Sequence, residues 1–180
     1  MHSLLQQAYD AIDAATRGLS EEQMRRHPEG KWDIAAILEH LSLTYTSTSR
    51  MMSKCLVAGK PLATSATFRN RIARIFVVNL SYIPSGRKAP KQVVPAGIGG
   101  IEARDAIKTN LRTMDEDLAA CEERFGAQVK VADHAILGPI PISEWRKFHL
   151  LHTLHHMKQV RALIQAYPNA APQSATAGQV

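Results

Sequence analysis

The stretch FHLLHTLHHMKQV, Phe148 to Val160, places four of the chain's eight histidines within eight positions. An α-helix turns about 100° per residue, so the segment can be laid out around its axis. With His152 at zero, Trp145 and Leu163 fall at about 20°, His156 at about 40°, and His149 and Val160 at about 60–80°. Met157 and Ile164 follow at about 120–140°, while Lys147, Lys158 and Arg161 take the opposite side. His149, His152 and His156 therefore share the apolar arc. His155 lies about 60° away on its other edge. A helix with such a stripe needs other helices to cover it.

Three further segments carry the same periodicity. The first runs from about Leu4 to Leu19, with Leu4, Leu5, Ala8, Ile12, Ala15 and Leu19 on one face. After the break HPEGKW, Asp33 is the expected N-cap of a second helix, which ends at Gly59-Lys60-Pro61. A third starts near Ile101 behind VVPAGIGG, with Ala103, Ile107, Asn110, Leu111, Met114, Leu118, Cys121 and Phe125 as its stripe. The last is expected to start at Ser143 as N-cap, with Glu144 in its first turn, and to reach about Ala166. Some 40 residues separate the second helix from the third, too many for a bare loop. Within them TFRNRIARIFVVNLSY, Thr67 to Tyr82, predicts an extra short helix, although FVVNLSYI also reads as a strand. IPSGRKAPKQVVPAGIGG then reads as irregular. The predicted fold is all-α: a four-helix bundle with one long crossover. The domain spans 1–167, followed by a tail, 168–180, that has nothing to bury and is expected to be disordered.

Several imidazoles among Leu, Val and Trp are costly unless each finds a partner. His152 and His156, at i and i+4, have Cβ atoms about 5–6 Å apart on one face. Both rings can therefore converge on one cation at about 2.0–2.1 Å. A third ligand has to come from another helix, and His40 is the candidate. It stands at the edge of the stripe Ile34, Ile37, Leu41 and Tyr45. A lone histidine there is ordinarily a satisfied rim residue, and an HxxxH pair alone serves structure as readily as metal. Their joint presence on two helices points to a metal.

LSEEQMRRHPEGKWDIAAILEHLSL, Leu19 to Leu43, resembles the opening of the DinB/YfiT-like superfamily of metalloenzymes. There a Trp-containing turn leads into a helix bearing a histidine before leucine. HAILGPIPISEWRKFHLLHTLHHMKQV, His134 to Val160, is similar to that superfamily's last helix with its HxxHHxxQ pattern. Residues 59–100 match no known pattern. The resemblance implies a four-helix bundle, usually dimeric, in which one histidine of the second helix and an HxxxH pair of the last hold zinc or nickel. Residue by residue these are His40, His152 and His156.

Three histidines leave coordination positions open, as catalytic rather than structural sites do. Such a site activates water for hydrolysis, or a low-molecular-weight thiol for attack on an electrophilic carbon. The expectation is a metal-dependent enzyme acting on a small molecule, a thiol-dependent S-transferase or a hydrolase. The competing reading is a non-catalytic dimeric binding or stress-response protein whose metal site is vestigial or regulatory. No general base declares itself: Glu39 lies about 100° round the helix from His40. Gln159, at about −20°, can orient a ligand. His149, His155 and Tyr45 are further pocket candidates, and Asp133 and His134 could reach the mouth. Asn110 is suited to a hydrogen bond across the core. Gly97, Gly99 and Gly100 faintly suggest anion binding at a helix start. Trp32 and Trp145 read as seals of the core, and Met51, Met52, Met114 and Met157 as filler.

The net charge of +6 is uneven. No acidic residue stands between Glu39 and Glu102, whereas Arg50, Lys54, Lys60, Arg69, Arg71, Arg74, Arg87, Lys88 and Lys91 do. That field attracts anions. Nucleic acid is not favoured, because no aromatic interleaving or reading motif accompanies the charge. Arg69, Arg71, Arg74, Arg87, Lys88 and Lys91 are expected to border the site and favour an anionic substrate. The rival reading is a solvated surface. Two cysteines, Cys55 and Cys121, make no disulfide framework, and no apolar run is long enough to span a membrane. The expected setting is cytoplasmic, with no membrane partner.

Overall fold

A computed structural model describes residues 1–83 and 88–168. Its long helices are α1 (Ser3–Thr16), α3 (Ile34–Ala58), α5 (Gly100–Phe125) and α6 (Ile142–Ala166). Shorter elements are α2 (Glu21–Met24), α4 (Phe68–Arg74) with a π-helical turn behind it (Ile75–Asn79), and a 3-10 turn (Lys91–Val93). Two strands, β1 (Lys130–His134) and β2 (Gly138–Pro141), pair as an antiparallel hairpin between α5 and α6. The chain is thus mostly helical, but the all-α expectation missed this sheet.

Each long helix buries one stripe, as its spacing requires. Leu5, Ala8 and Ile12 of α1, Leu38, Leu41, Tyr45 and Met52 of α3, and Ile107, Leu111, Met114 and Leu118 of α5 are all inaccessible. They meet Trp145, Met157 and Val160 of α6 in one core. Within it α3 packs chiefly on α5, and α1 on α6. The ends follow local chemistry. Asp33 Oδ1 accepts the Ala36 amide at 2.6 Å, capping α3 as expected, and Gly59 closes that helix at φ 66°. By contrast α1 stops at Thr16, short of Leu19, because Arg17 turns to ψ 127° and Gly18 to φ 78°. Ser143 is not an N-cap. The N-cap position falls two residues earlier, at Pro141, whose fixed φ and absent N–H suit the end of β2.

The hairpin fixes the end of the core near the start of α6. Val131, Leu137 and Ile140 are buried, and Cys55 Sγ donates to the Val131 carbonyl at 3.2 Å. His134 Nδ1 accepts the amides of Ile136 and Leu137, so this imidazole closes its own hairpin loop. Asp133 receives the Thr64 amide and hydroxyl. Neither residue stands free at a mouth. The predicted extra helix is present as α4, extended by the π-helical turn, and FVVNLSYI forms no strand. Val77 and Val78 enter the core, Asn70 Nδ2 donates to the Ile136 carbonyl at 2.8 Å, and Arg74 pairs with Glu144. Arg87, and the expected tail from residue 169 onward, lie outside the described residues.

Candidate metal centre

His40, on the second turn of α3, and His152 and His156, one turn apart on α6, bring their imidazoles together. His40 Nε2 lies 3.3 Å from His152 Nε2, and His156 Nε2 lies 3.1 Å from that same atom. The three possible ligand atoms stand within 4.8 Å of one another. Two nitrogens on a tetrahedral ion at about 2.0–2.1 Å would stand about 3.3–3.4 Å apart. The two spacings to His152 Nε2 come close to that requirement, and the third pair, His40 with His156, lies within 4.8 Å.

The outer ring nitrogens show which atoms face the centre. His40 Nδ1 lies 2.7 Å from the Val93 carbonyl, an acceptor only, so it carries the proton and leaves a lone pair on Nε2. His156 Nδ1 lies 2.8 Å from Gln159 Oε1, with the same consequence. His152 Nε2 meets both lone pairs, while its own Nδ1 is buried without a hydrogen-bond partner among the described residues. Lone pairs directed at one another need a proton or a cation between them. The donor set fits a divalent ion held by neutral imidazoles.

Electrostatics keep those rings neutral. Burial, the largest cause, lowers the pKa of His40, holds His156 down at about 3, and drives His152 well below the ordinary value. The neighbouring imidazoles add to the shift at His152 and His156, because a second positive charge in the cluster would be repelled. The Val93 carbonyl partly offsets the effect at His40.

The surroundings are aromatic. The Phe148 ring stacks on His152 at 5.3 Å, and Trp32 lies 5.0 Å from His40. Trp32 is 36% exposed, so it covers the rim of the cluster instead of sealing the core. Trp145 is fully buried, as expected of a core seal. Gln159 uses both ends of its amide: Oε1 accepts from His156, and Nε2 lies 3.2 Å from His155 Nε2. His155 thus stands one step outside the cluster, joined to it through Gln159. His149 turns the other way, toward Thr48 Oγ1 at 3.1 Å, and burial holds its pKa at about 3. Tyr45 is buried with its hydroxyl 2.6 Å from Thr153 Oγ1, which spends it inside the core. Asn110 makes the expected cross-core bond, donating to Ser42 Oγ at 2.7 Å.

Two carboxylates matter more than their sequence positions suggested. Glu39 is 3% exposed, and it accepts the amides of Ala96 and Gly97 at 2.8 Å and Ile98 at 3.1 Å. It does not face the imidazoles. It ties down the strand of crossover that carries Val93, and through Val93 it holds His40. Glu21 receives the amides of Gly100 and Ile101 at the start of α5, and these bonds lower its pKa. The anion suspected at the glycine-rich helix start is therefore the protein's own. A glutamate that meets the backbone amides of an otherwise apolar loop gave little signal, since only the fold shows where the loop lies.

The basic residues divide. Arg74 pairs with Glu144, eight residues before His152 on α6 and so about 12 Å away along the axis. Arg71, Arg74 and Lys130 line a cleft of about 410 Å³ against the hairpin, together with Thr64, Ser65, Ala66, Leu137 and Pro139 and none of the three histidines. Lys91 opens the 3-10 turn that ends at Val93, on the His40 side.

Fold and site define a mainly helical protein with a candidate three-histidine metal centre. A family model described as "Protein of unknown function (DUF1569)" matches residues 1–162, and the chain belongs to that family. The match includes all three histidines and also the crossover. No curated protein and no solved structure matches the chain.

Proposed function

We propose that this protein is a metal-dependent enzyme of the DinB/YfiT-like kind, acting on a small molecule by thiol-dependent S-transfer or by hydrolysis. The observation that carries the reading is the convergence of the His40 and His156 Nε2 atoms on His152 Nε2 at 3.3 and 3.1 Å, with the outer nitrogens of His40 and His156 committed elsewhere. On this reading α1, α3, α5 and α6 form a four-helix bundle with the crossover lying between α3 and α5. The copies pair as homodimers in the cytoplasm, and zinc or nickel is the resident ion. Such an ion supplies Lewis acidity, which lowers the pKa of a thiol or water that reaches it.

The chain's own residues supply the rest. His40 is oriented by Val93, His156 by Gln159, and His152 by stacking on Phe148. Trp32 limits the approach beside His40. Lys91, close in sequence to Val93, is the basic residue best placed to attract an anionic substrate.

The test begins with metal content of protein purified without a histidine tag, followed by a panel of small thiols and electrophiles on the loaded protein. Stoichiometric metal with turnover supports the proposal. Stoichiometric metal with no turnover across the panel selects the non-catalytic binding reading. Metal-free protein that takes up no divalent ion on titration overturns the proposal and leaves the non-catalytic reading with a vestigial site.

A further inference from the structure

The crossover helix is packed inside out. Its inner side reaches the body of the protein through Asn70, Arg74, Val77 and Val78. Phe68, Ile72, Ile75 and Phe76 lie on the outer side, and Leu80 and Tyr82 continue the exposure. Phe68 is 76% exposed and Leu80 63%. At about 100° per residue Phe68, Ile72, Ile75 and Phe76 fall within about one quadrant, with Arg69 on one flank and Arg71 on the other. Isolated apolar residues on a surface need no explanation, but a contiguous set on one short segment does.

Charge indicates what covers it. Not one acidic residue occurs between Glu39 and Glu102. Among the described residues no carboxylate pairs with Arg69, Arg71, Lys88 or Lys91. The cleft of about 410 Å³ beside the same helix is lined by Arg71, Arg74 and Lys130 together with Thr64 and Ser65. An apolar face thus lies next to Arg69, Arg71 and Lys130, which no carboxylate pairs among the described residues, while Arg74 is held by Glu144 and the Thr64 hydroxyl by Asp133. A second copy of the chain would bring Arg69 and Arg71 against identical charges across a two-fold axis, which is unfavourable. A bilayer rich in anionic headgroups offers what both features need: an apolar layer for the rings, and phosphates for the arginines. Among the described residues no helix is long and apolar enough to cross a membrane, but lying on one requires only such a face.

We propose that α4 and the turn behind it dock this protein on an anionic phospholipid surface, with Phe68, Ile72, Ile75 and Phe76 entering the headgroup boundary. Arg69 and Arg71 hold phosphates at its edge, and the cleft with Lys130 receives a headgroup. This assignment is independent of the metal centre.

The experiment is flotation of the full chain at low salt with large unilamellar vesicles. One set is pure phosphatidylcholine; the other has a quarter of it replaced by phosphatidylglycerol. Binding is expected only with phosphatidylglycerol, and raised salt should weaken it. The triple variant Phe68→Ser/Ile72→Ser/Phe76→Ser should lose flotation while keeping the wild-type circular dichroism spectrum and melting temperature, because these side chains are exposed. Arg69→Gln with Arg71→Gln should lower partitioning about 25-fold, at about fivefold per basic residue near an anionic surface. Absence of flotation, or equal flotation with both vesicles, would overturn the proposal. So would full displacement by millimolar inorganic phosphate, which would make the cleft a free-anion site. A wild type that sediments as a dimer and does not float, with the triple variant a monomer, would assign the face to a second copy instead.

Discussion

Replacing Glu39 by glutamine tests whether the centre is held from outside the histidines. The substitution keeps size and shape but removes the charge and one acceptor. Oε2 takes both Gly97 and Ile98, and Oε1 takes Ala96. A glutamine can present its oxygen to one side only, so its amide group meets a backbone N–H on the other. Hydrogen bonds to a charged group contribute about 1.5–3 kcal/mol each, and a donor left unpaired in a buried place costs about 1–3 kcal/mol. With one bond lost and two weakened, a destabilisation of about 3 kcal/mol follows. For a chain of this size that lowers Tm by about 6–12 °C. Hydrogen exchange should localise the damage, with protection falling at Ala96, Gly97 and Ile98 while the α3 amides keep theirs. Val93, three residues earlier, orients His40, so metal affinity measured by competition with a chromophoric chelator should fall as well. A variant that melts within about 1 °C of wild type, with unchanged protection at those amides, would refute the assigned role of Glu39.

Alanine at His40, His152 or His156 should each abolish stoichiometric divalent metal binding, whereas His155→Ala should only weaken it. Loss of metal in His155→Ala together with retention in His156→Ala would show that the ligand set is wrong. In metal-free protein, lowering the pH should destabilise the fold. The folded pKa values of His149 and His156 lie at about 3 and that of His134 at about 4, below the value near 6.5 expected unfolded. The stability from keeping these rings neutral is present above about pH 6.5 and declines as pH falls toward those folded values. At pH 5 each such ring has lost about 2 kcal/mol, visible in urea melts at a series of pH values. A flat stability profile from pH 7 to 5 would contradict it. Finally, Gly100→Ala should destabilise by about 1–3 kcal/mol, because a Cβ there would stand 2.5 Å from Met24 Sδ and 3.2 Å from the Ala35 Cβ. Equal melting curves would show that α2 can move aside.

The helices were legible because local chemistry alone decides them. Leu5, Ala8 and Ile12 repeat at helical spacing, Asp33 precedes an apolar run, and Gly59 stands where a left-handed residue is needed. The inward side of α6 was legible for the same reason. His152 and His156 are one turn apart whatever surrounds them, and His40 lies near the edge of its own stripe. Position along one helix is a property of the chain. The hairpin was not legible: its strands are short, interrupted by Gly138, Pro139 and Pro141, and stable only where Val131 and Ile140 find the core. Nor does periodicity alone show that Glu39 closes on a loop 57 to 59 residues away, that Glu21 occupies the start of α5, or that Arg71 and Arg74 stand at the hairpin and not at the histidines. Those pairings join groups distant in sequence, and their geometry exists only after the helices have packed. What a residue presents was readable from the chain; what it meets depended on the fold, since contact partners are set by packing between segments that carry no mark of one another.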